Sequence, residues 1–173
     1  MALLEIRKYP DNILRKKTAP VTTFDAGLQR LIDDMIETMY AAPGVGLAAN
    51  QVGVSKQVAV IDVSGKDEET SLIVLVNPEI IHFEGEASIE EGCLSIPGYT
   101  TVVKRAEKVI ARCCDREGKE IEIEGDGILA RALQHEIDHL NGILLIDRIG
   151  RIKKEFFKKR YKREYESLKA SLS

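Results

Sequence analysis

The sequence has few of the features that mark membrane, secreted or disulfide-linked proteins. No apolar run among its 173 residues approaches the roughly 20 that a transmembrane helix requires. Residues 1–10 include no hydrophobic segment of the signal-peptide kind, so we expect a cytoplasmic protein. Three cysteines are too few for a disulfide framework, and in a reducing compartment each thiol is free for other chemistry.

The remaining composition is that of an ordinary globular protein. The chain is 44% hydrophobic and 31% charged, and its formal net charge of -3 argues against a polycation built for nucleic acid. We find no internal repeat, low-complexity linker or domain boundary. We therefore expect one domain over residues 1–173, with a basic C-terminal helix at about 148–170.

Apolar patterning predicts an α+β fold. An amphipathic helix is expected over 24–40, capped by Asp25 at its start, and a second helix over 128–140. Strands are predicted between them, with Asn77 and Pro78 breaking the second, at residues 57–63, 72–76, 80–83, 100–103, 109–114 and 120–123. Strands clustered in this way predict antiparallel or mixed sheets packed around the second helix as a central element.

Two of the three histidines, His135 and His139, stand four residues apart in the predicted central helix. Side chains at this spacing project from one helix face, so the two imidazoles can bind one metal ion. Glu136 lies at the edge of the same face, where it can reach a metal-bound water without being a ligand. The alternative is a helix that merely contains two histidines, and their concentration in one H-E-x-x-H pattern argues against it.

A metal site of this kind needs a third protein ligand. Leu145 stands where metzincins have a third histidine, and Glu155, a possible gluzincin-type ligand, lies in a run of lysine and arginine. Cys93 is the best placed of the remaining soft ligands, although a buried free cysteine at a strand end is an alternative. A Cys-His-His site with an open fourth position is catalytic in type. Cys113 and Cys114 are expected to pack on opposite faces of a sheet.

A glycine-rich stretch occupies residues 44–51, Gly-Val-Gly-Leu-Ala-Ala-Asn-Gln. Its G-x-G-x-x-A pattern resembles a dinucleotide-binding turn, but a helix rather than a strand precedes it. The glycines permit close approach of a ligand to the backbone, where a peptide could pair as an added strand. A small-residue turn packed under the sheet is the alternative. Gln51 adds a side-chain amide donor.

These residues together suit hydrolysis of a carbonyl compound. A bound metal lowers the pKa of its water, Glu136 accepts the proton, and the hydroxide attacks the carbonyl carbon. The Gln51 amide and the backbone N–H of Leu94 are candidate donors to the oxygen on which charge develops. Glu136 can then return its proton to the departing amine.

Three segments in this order, in a chain of this length, closely resemble the peptide deformylases: residues 44–51, Glu-Gly-Cys-Leu-Ser at 91–95 and Gln-His-Glu-Ile-Asp-His-Leu at 134–140. The resemblance covers essentially the whole chain. It implies an enzyme that removes the N-formyl group from the initiator methionine of nascent polypeptides and releases formate. It also implies Cys93, His135 and His139 as ligands of one divalent ion, usually Fe²⁺, with Zn²⁺, Ni²⁺ or Co²⁺ able to replace it.

The resemblance further implies an apolar pocket for the methionine side chain. Its expected lining is Val45, Gly46, Ile89, Gly92, Ile128 and Ala132. Arg131, one turn before His135, is expected to extend to solvent at the pocket rim rather than to contact the substrate. Glu91 and Arg105 are expected to form an internal ion pair that steadies the Cys93 segment.

The predicted C-terminal helix differs in charge from the rest of the chain. Nine Lys/Arg and three Glu between residues 151 and 173 give a local balance of +6. A solvated helix face is one explanation, and docking on RNA is another. The resemblance implies contact with the ribosome, whereas no known RNA-binding module predicts sequence-specific recognition of nucleic acid.

Two other functions stay open at this point. A broader metallopeptidase that cuts internal bonds would need a third ligand other than Cys93 and a wider cleft. An RNA-associated protein with a structural zinc would have a closed site with four protein ligands.

Overall fold

The computed structural model describes residues 2–65 and 70–172. The helices are α1 (Ala26–Ala41), α2 (Gly127–Leu140) and α3 (Arg151–Leu172). The strands are β1 (Gly46–Ala48), β2 (Val58–Ile61), β3 (Ile73–Glu84), β4 (Ala87–Cys93), β5 (Ile96–Arg105), β6 (Lys108–Cys114) and β7 (Glu120–Asp126). Short 3₁₀ helices lie at Asn12–Arg15, Ala49–Val52 and Leu145–Asp147.

The strands form two antiparallel sheets. The larger has the order β1-β2-β3-β6-β7, and the smaller is the β4–β5 hairpin. This arrangement confirms the predicted α+β fold with a central H-E-x-x-H helix and a C-terminal helix. No helix among the described residues is both long and apolar enough to cross a membrane.

The five-stranded sheet lies between α1 and α2. Strand β2 shows why, because its alternate side chains point to opposite faces. Val58 and Val60 pack in the cluster that includes α1, whereas Ala59 and Ile61 pack in the cluster that includes Leu133 of α2. Helix α2 is therefore fixed along one side by the sheet, and its opposite side faces the β4–β5 hairpin.

The capping and cysteine predictions are confirmed. The Asp25 carboxylate accepts a hydrogen bond from the backbone N–H of Leu28 at 2.9 Å, which satisfies a donor in the first turn of α1. Cys113 belongs to the core cluster under α2, whereas Cys114 packs against the cluster under α1. Neighbouring residues of β6 thus lie on opposite faces of the sheet.

The prediction that Asn77 and Pro78 end a strand is wrong, since β3 continues through both to Glu84. The pairing of β3 with β6 shifts register between Val76 and Glu79, and this bulge accommodates a proline that has no N–H to donate. The Asn77 side chain bonds both to the N–H and to the C=O of Val21, at 2.8 and 2.9 Å. These two bonds tie the bulge to the segment that precedes α1.

Strands β1 and β4 were not predicted from the sequence. Strand β1 is only three residues long, and β4 contains Glu90, Glu91 and Gly92, so neither shows a clear apolar alternation. Strand β5 is also longer than the predicted 100–103 segment. Both unpredicted strands lie at the candidate site.

Helix α3 begins at Arg151 and is attached to the rest of the fold near its start. Phe157 is buried in a cluster with Leu144 and Leu145, which precede the helix, and with Ile96 of β5. Beyond that anchor, most described side chains of α3 are exposed.

Candidate metal centre and active site

Three potential metal ligands converge between the β4–β5 hairpin and α2. The Cys93 Sγ atom, at the end of β4, lies 3.2 Å from the Nε2 atom of His139. That atom in turn lies 3.2 Å from the Nε2 atom of His135, and the three ligand atoms are all within 4.8 Å of one another. Residues separated widely in sequence therefore form one compact N₂S cluster.

The donor set fits a divalent transition metal. Tetrahedral bonds of about 2.0–2.1 Å to nitrogen and 2.3 Å to sulfur would separate the ligand atoms by roughly 3.3–3.6 Å, close to the spacing seen here. Among the described residues, this is the one group of three or more such side chains that could hold an ion, and it supplies three ligands. A fourth coordination position would thus be open to a small molecule, unlike a closed structural zinc site.

The electrostatics of the cluster favour a thiolate. Burial opposes charge on Cys93, but His139 and His135 beside it hold the pKa of the thiol well below its usual range. Burial likewise opposes charge on His135, whereas Glu136 and Cys93 raise the pKa of its imidazole well above the ordinary value. The thiolate and the neutral imidazole are the metal-binding forms, so a bound cation would displace the proton that His135 otherwise favours.

Glu136 is buried next to the cluster. Its side chain is 3% exposed, and among the described residues its Oε1 atom has no hydrogen-bond partner. Burial raises the pKa of its carboxyl, and the nearby positive histidines oppose that shift only in part. A carboxylate with an unused oxygen and a raised pKa is suited to accept and return a proton.

The amide of Gln51 has one possible orientation. Its Oε1 atom accepts a hydrogen bond from the backbone N–H of Ala48 at 2.9 Å, which directs Nε2 towards the cluster. That nitrogen lies 3.1 Å from the Ser95 Oγ atom and 3.7 Å from the Cys93 Sγ atom. Leu94, the other predicted oxyanion donor, follows Cys93 at the hairpin tip. Ser95 was not singled out in the sequence, since a lone serine after a cysteine carries no distinctive pattern.

Asn50 is a second residue that the sequence did not indicate. It is fully buried, and its Nδ2 atom donates to the backbone carbonyl of His139 at 2.5 Å. This bond ties the glycine-rich segment directly to the last turn of α2. It fixes the backbone from which one of the imidazoles projects.

A buried carboxylate orients the other imidazole. The Glu91 Oε1 atom lies 2.9 Å from His135 Nδ1, and Arg105 donates to both oxygens of the carboxylate, at 2.6 and 3.1 Å. Burial alone would raise the pKa of Glu91, yet hydrogen bonds from His135 and Arg105 lower it to about 2. The predicted Glu91–Arg105 ion pair is present, and Glu91 contacts His135, one of the three candidate metal ligands.

The expectation that Arg131 extends to solvent is wrong. Its side chain is 8% exposed and forms an ion pair with Glu91. Its two terminal nitrogens also donate to the carbonyls of Val103 and Ala87, each at 2.9 Å. The planar guanidinium of Arg131 can donate to a carboxylate and two carbonyls at once. These hydrogen bonds replace the water that would solvate the group at the pocket rim.

The charge network continues beyond the site through Asp138. Arg105 donates to the Asp138 carboxylate at 2.9 Å, and Arg148 lies 2.8 Å from its other oxygen. The network thus links helix α2 to the segment before α3. Asp138 was not picked out in the sequence, because an aspartate on a helix is ordinarily a surface residue.

A cleft of about 930 Å³ opens onto the cluster. All the predicted pocket residues line it: Val45, Gly46, Ile89, Gly92, Ile128 and Ala132. So do the predicted catalytic groups: Gln51, Leu94 and Glu136. The apolar side chains of Val45, Ile89 and Ile128 are 55%, 48% and 66% exposed, so they offer apolar surface to a ligand.

The cleft is bounded by two strand edges. Within the described part of the chain, β1 pairs only with β2 and β4 only with β5, and residues of both strands line the cleft. Their backbone groups on the open sides can pair with an extended chain placed between them. The geometry therefore suits a peptide whose terminal carbonyl reaches the N₂S cluster.

Comparison with known proteins identifies the family. The family model for polypeptide deformylases matches residues 3–155. The chain belongs to this family. It is 60% identical to the peptide deformylase of Thermodesulfovibrio yellowstonii over 162 residues, which cover 94% of this chain and 98% of that one. Family membership confirms the prediction of a metal-dependent hydrolase.

Solved structures of the family share this fold. The peptide deformylase of Legionella pneumophila is 50% identical, with a TM-score of 0.87 and coverage of 97% of this chain and 98% of that one. The Ehrlichia chaffeensis peptide deformylase in complex with actinonin is 37% identical, with a TM-score of 0.88 and coverage of 95% and 98%.

Proposed function

We propose that this protein removes the N-formyl group from the initiator methionine of newly made polypeptides in the cytoplasm, releasing formate, and that residues 1–173 form a single catalytic domain. The observation that carries this proposal is the N₂S cluster with Glu136 beside it, at the end of a cleft between two strand edges. Cys93, His135 and His139 would hold one divalent ion, which we propose is Fe²⁺ in the native enzyme. Such an ion supplies Lewis-acid polarisation of the carbonyl and lowers the pKa of a water that it binds.

Glu136 moves the proton in the proposed reaction. Its free Oε1 atom accepts a proton from the attacking water, and the carboxyl then delivers that proton to the departing amine nitrogen. Burial supports both steps, because a raised pKa brings the carboxyl closer to the pH at which it can bind and release a proton. No other described side chain is needed for this transfer.

Gln51 and Leu94 stabilise the oxygen of the formyl group as charge develops on it. The Gln51 amide is held in place before the substrate arrives, since Ala48 fixes its oxygen. The donor thus needs no reorganisation during the reaction, the condition under which such groups are most effective. The backbone N–H of Leu94 is the second proposed donor, at the tip of the β4–β5 hairpin.

The cleft accounts for selection of a peptide that begins with methionine. Gly46 and Gly92 would allow the substrate backbone to approach β1 and β4 closely. Val45, Ile89 and Ile128 offer exposed apolar surface to the flexible methionine side chain. A substrate held along its backbone and at its first side chain presents its formyl carbon to the cluster.

Formate release from a formyl-Met peptide by metal-loaded protein tests the proposal. We expect turnover by the unaltered chain and at least about a hundredfold loss in the Glu136→Ala variant. Metal content should be the same in both proteins, because Glu136 is not a proposed ligand. Absence of formate from the unaltered protein loaded with Fe²⁺, Ni²⁺ or Zn²⁺ would refute the proposed activity.

The same purified proteins distinguish the proposed activity from the two alternative functions. A metallopeptidase would cleave an internal bond of an unformylated peptide and would retain that activity in a Cys93→Asp variant. A structural zinc protein would lose stability on metal removal but would not be affected by Glu136→Ala. Metal analysis after anaerobic purification identifies the native ion, and an iron enzyme with an open thiolate site should lose activity in air.

We also propose that α3 docks on the ribosome, near the emerging substrate. Within the described part of the chain, five exposed basic residues on α3 form no ion pair: Arg151, Lys153, Lys159, Lys162 and Arg163. Such charges suit the RNA backbone, and binding should weaken steeply with salt. Cosedimentation with ribosomes tests this, with a Lys159→Glu, Arg163→Glu variant expected to remain in the supernatant while its turnover of a short formyl peptide is unchanged.

A further inference from the structure

A second, smaller cavity lies beside the active-site cleft. It has a volume of about 300 Å³ and is formed between α3, the N-terminal segment at Lys8 and Tyr9, and the start of β5. Five of its eleven lining residues are aromatic: Tyr9, Tyr99, Phe157, Tyr161 and Tyr165. This concentration is unusual in a chain whose aromatic content is only 5%.

Packing of the rings makes the cavity wall rigid. Tyr9 meets Phe157 and Tyr161 edge to face, with centroids 5.2 and 4.9 Å apart, and the Tyr161 hydroxyl donates to the Tyr9 carbonyl at 3.0 Å. Tyr99 packs on Phe157 with centroids 4.7 Å apart. A preformed wall loses little entropy when an apolar group binds to it.

Anchoring of α3 does not account for the whole wall. Phe157 is 4% exposed and supplies the anchor, whereas Tyr165, two turns further along the helix, is 52% exposed. Its ring stacks on Tyr161 with centroids 6.0 Å apart and an angle of 17° between the planes. The Tyr165 ring therefore extends the cavity wall into solvent, and little of its surface is buried in a way that would stabilise the fold.

The cavity adjoins the active-site cleft. Four residues line both: Lys8, Ile96, Pro97 and Tyr99. A peptide that leaves the cleft along these residues would be directed towards the aromatic cavity.

We propose that the aromatic cavity binds a large apolar or aromatic side chain of the formylated polypeptide, downstream of its methionine. The inference rests on the proposed function, because the occupant is the same substrate. The exposed ring of Tyr165 and the guanidinium of Arg160, which lies 5.9 Å from the centroid of the Tyr99 ring, offer planar surfaces to an aromatic group. The cavity volume lies at the small end of the range for ligand pockets and suits one such side chain.

A positional scan of substrates tests the inference. In the peptides formyl-Met-Xaa₄-amide, with alanine as the background residue, phenylalanine is placed in turn at positions two to five. We expect kcat/KM of the unaltered enzyme to rise about fivefold at one of these positions relative to the all-alanine peptide, through a lower KM. In Tyr165→Ala that ratio should fall to near one.

Phe156→Ala is the matched control. Phe156 is also an exposed aromatic residue of α3, 68% accessible, but it does not line the cavity, so the ratio should remain about fivefold. Equal kcat/KM at every position in the unaltered enzyme would overturn the aromatic subsite and leave deformylation intact. Equal loss of the ratio in both variants would also overturn it. If no peptide releases formate, the proposed function is refuted, and the proposed subsite is refuted with it.

Discussion

A methyl group added to the Cα atom of Gly46 would lie 2.5 Å from the Glu136 Oε2 atom and 2.8 Å from its carboxyl carbon. Strand β1 and the proposed proton-transfer group therefore pack against each other without space for a side chain. The shape of the glycine-rich segment thus fixes the position of Glu136. The glycine is required here by contact rather than by an unusual backbone conformation.

We expect Gly46→Ala to lower formate release by at least about a hundredfold, because the carboxylate must move away from its working position. The fold should persist, since the atoms that a Cβ would meet belong to the Glu136 side chain rather than to the backbone. Steady-state kinetics and metal content measure the effect. Gly27→Ala, in helix α1 where a Cβ would meet nothing closer than 3.4 Å, is the control and should keep its activity. Full activity of Gly46→Ala would show that Glu136 is not positioned by this contact.

Gln51→Leu should retain metal and fold while losing most of the turnover rate. Leucine preserves the volume but removes the donor that Ala48 and Ser95 hold in place, and loss of one oxyanion donor typically costs on the order of 10²–10³ in rate. The loss should appear in kcat and kcat/KM alike. A variant with unchanged kcat would exclude Gln51 from the stabilisation of charge.

Arg131→Met should destabilise the protein by about 3 kcal/mol, because the buried Glu91 carboxylate loses one of its positive partners. Two backbone carbonyls, of Val103 and Ala87, would also lose their donor. Urea unfolding of the metal-loaded protein measures the change. Arg112→Met removes an exposed arginine that faces Glu120 and Glu122, and it should cost less than about 1 kcal/mol. Similar losses of stability in the two variants would contradict a structural role for the buried Arg131–Glu91 ion pair.

Asp147 should contribute stability that depends on pH. Burial opposes its charge, but Lys154, the N–H of Leu144 and Arg15 lower the pKa of the carboxyl below the ordinary 3.8. The folded state therefore binds the proton less tightly than the unfolded state does. The contribution is fully present above about pH 3.8 and is lost as the pH falls through the lower folded pKa.

Asp147→Asn should accordingly reduce the free energy of unfolding by about 1–2 kcal/mol at neutral pH, and by progressively less below pH 3.8. Denaturant titrations over this range measure the difference between the variant and the unaltered protein. Asp33→Asn, which removes a more exposed partner of Arg116, serves as the surface control. If the difference in unfolding free energy does not decrease in acid, the charge of the Asp147 carboxylate is not the source of the effect.

The sequence was informative where a single helix determines how side chains lie relative to one another. His135, Glu136 and His139 are set by one helix, so their common position follows from helical periodicity alone. Cys93 was a choice among distant candidates, and the structure brings its sulfur to the imidazoles. The α+β class followed from the order of the strands and helices.

The sequence was uninformative where a residue depends on a partner far along the chain. Arg131 was expected in solvent because nothing in the sequence linked it to Glu91, 40 residues away, for which Arg105 was the predicted partner. Strand β4 was missed for a related reason, since its glutamates point either into a buried charge network or into the cleft. Asn77 and Pro78 predict a strand end, yet β3 passes them through a bulge in its pairing with β6, which the local sequence does not reveal.

The three donors of the N₂S cluster come from a hairpin and a helix, with Cys93 and His139 46 residues apart. Because the helix follows the hairpin in the chain, a polypeptide still being synthesised cannot bring the three donors together until the helix has emerged.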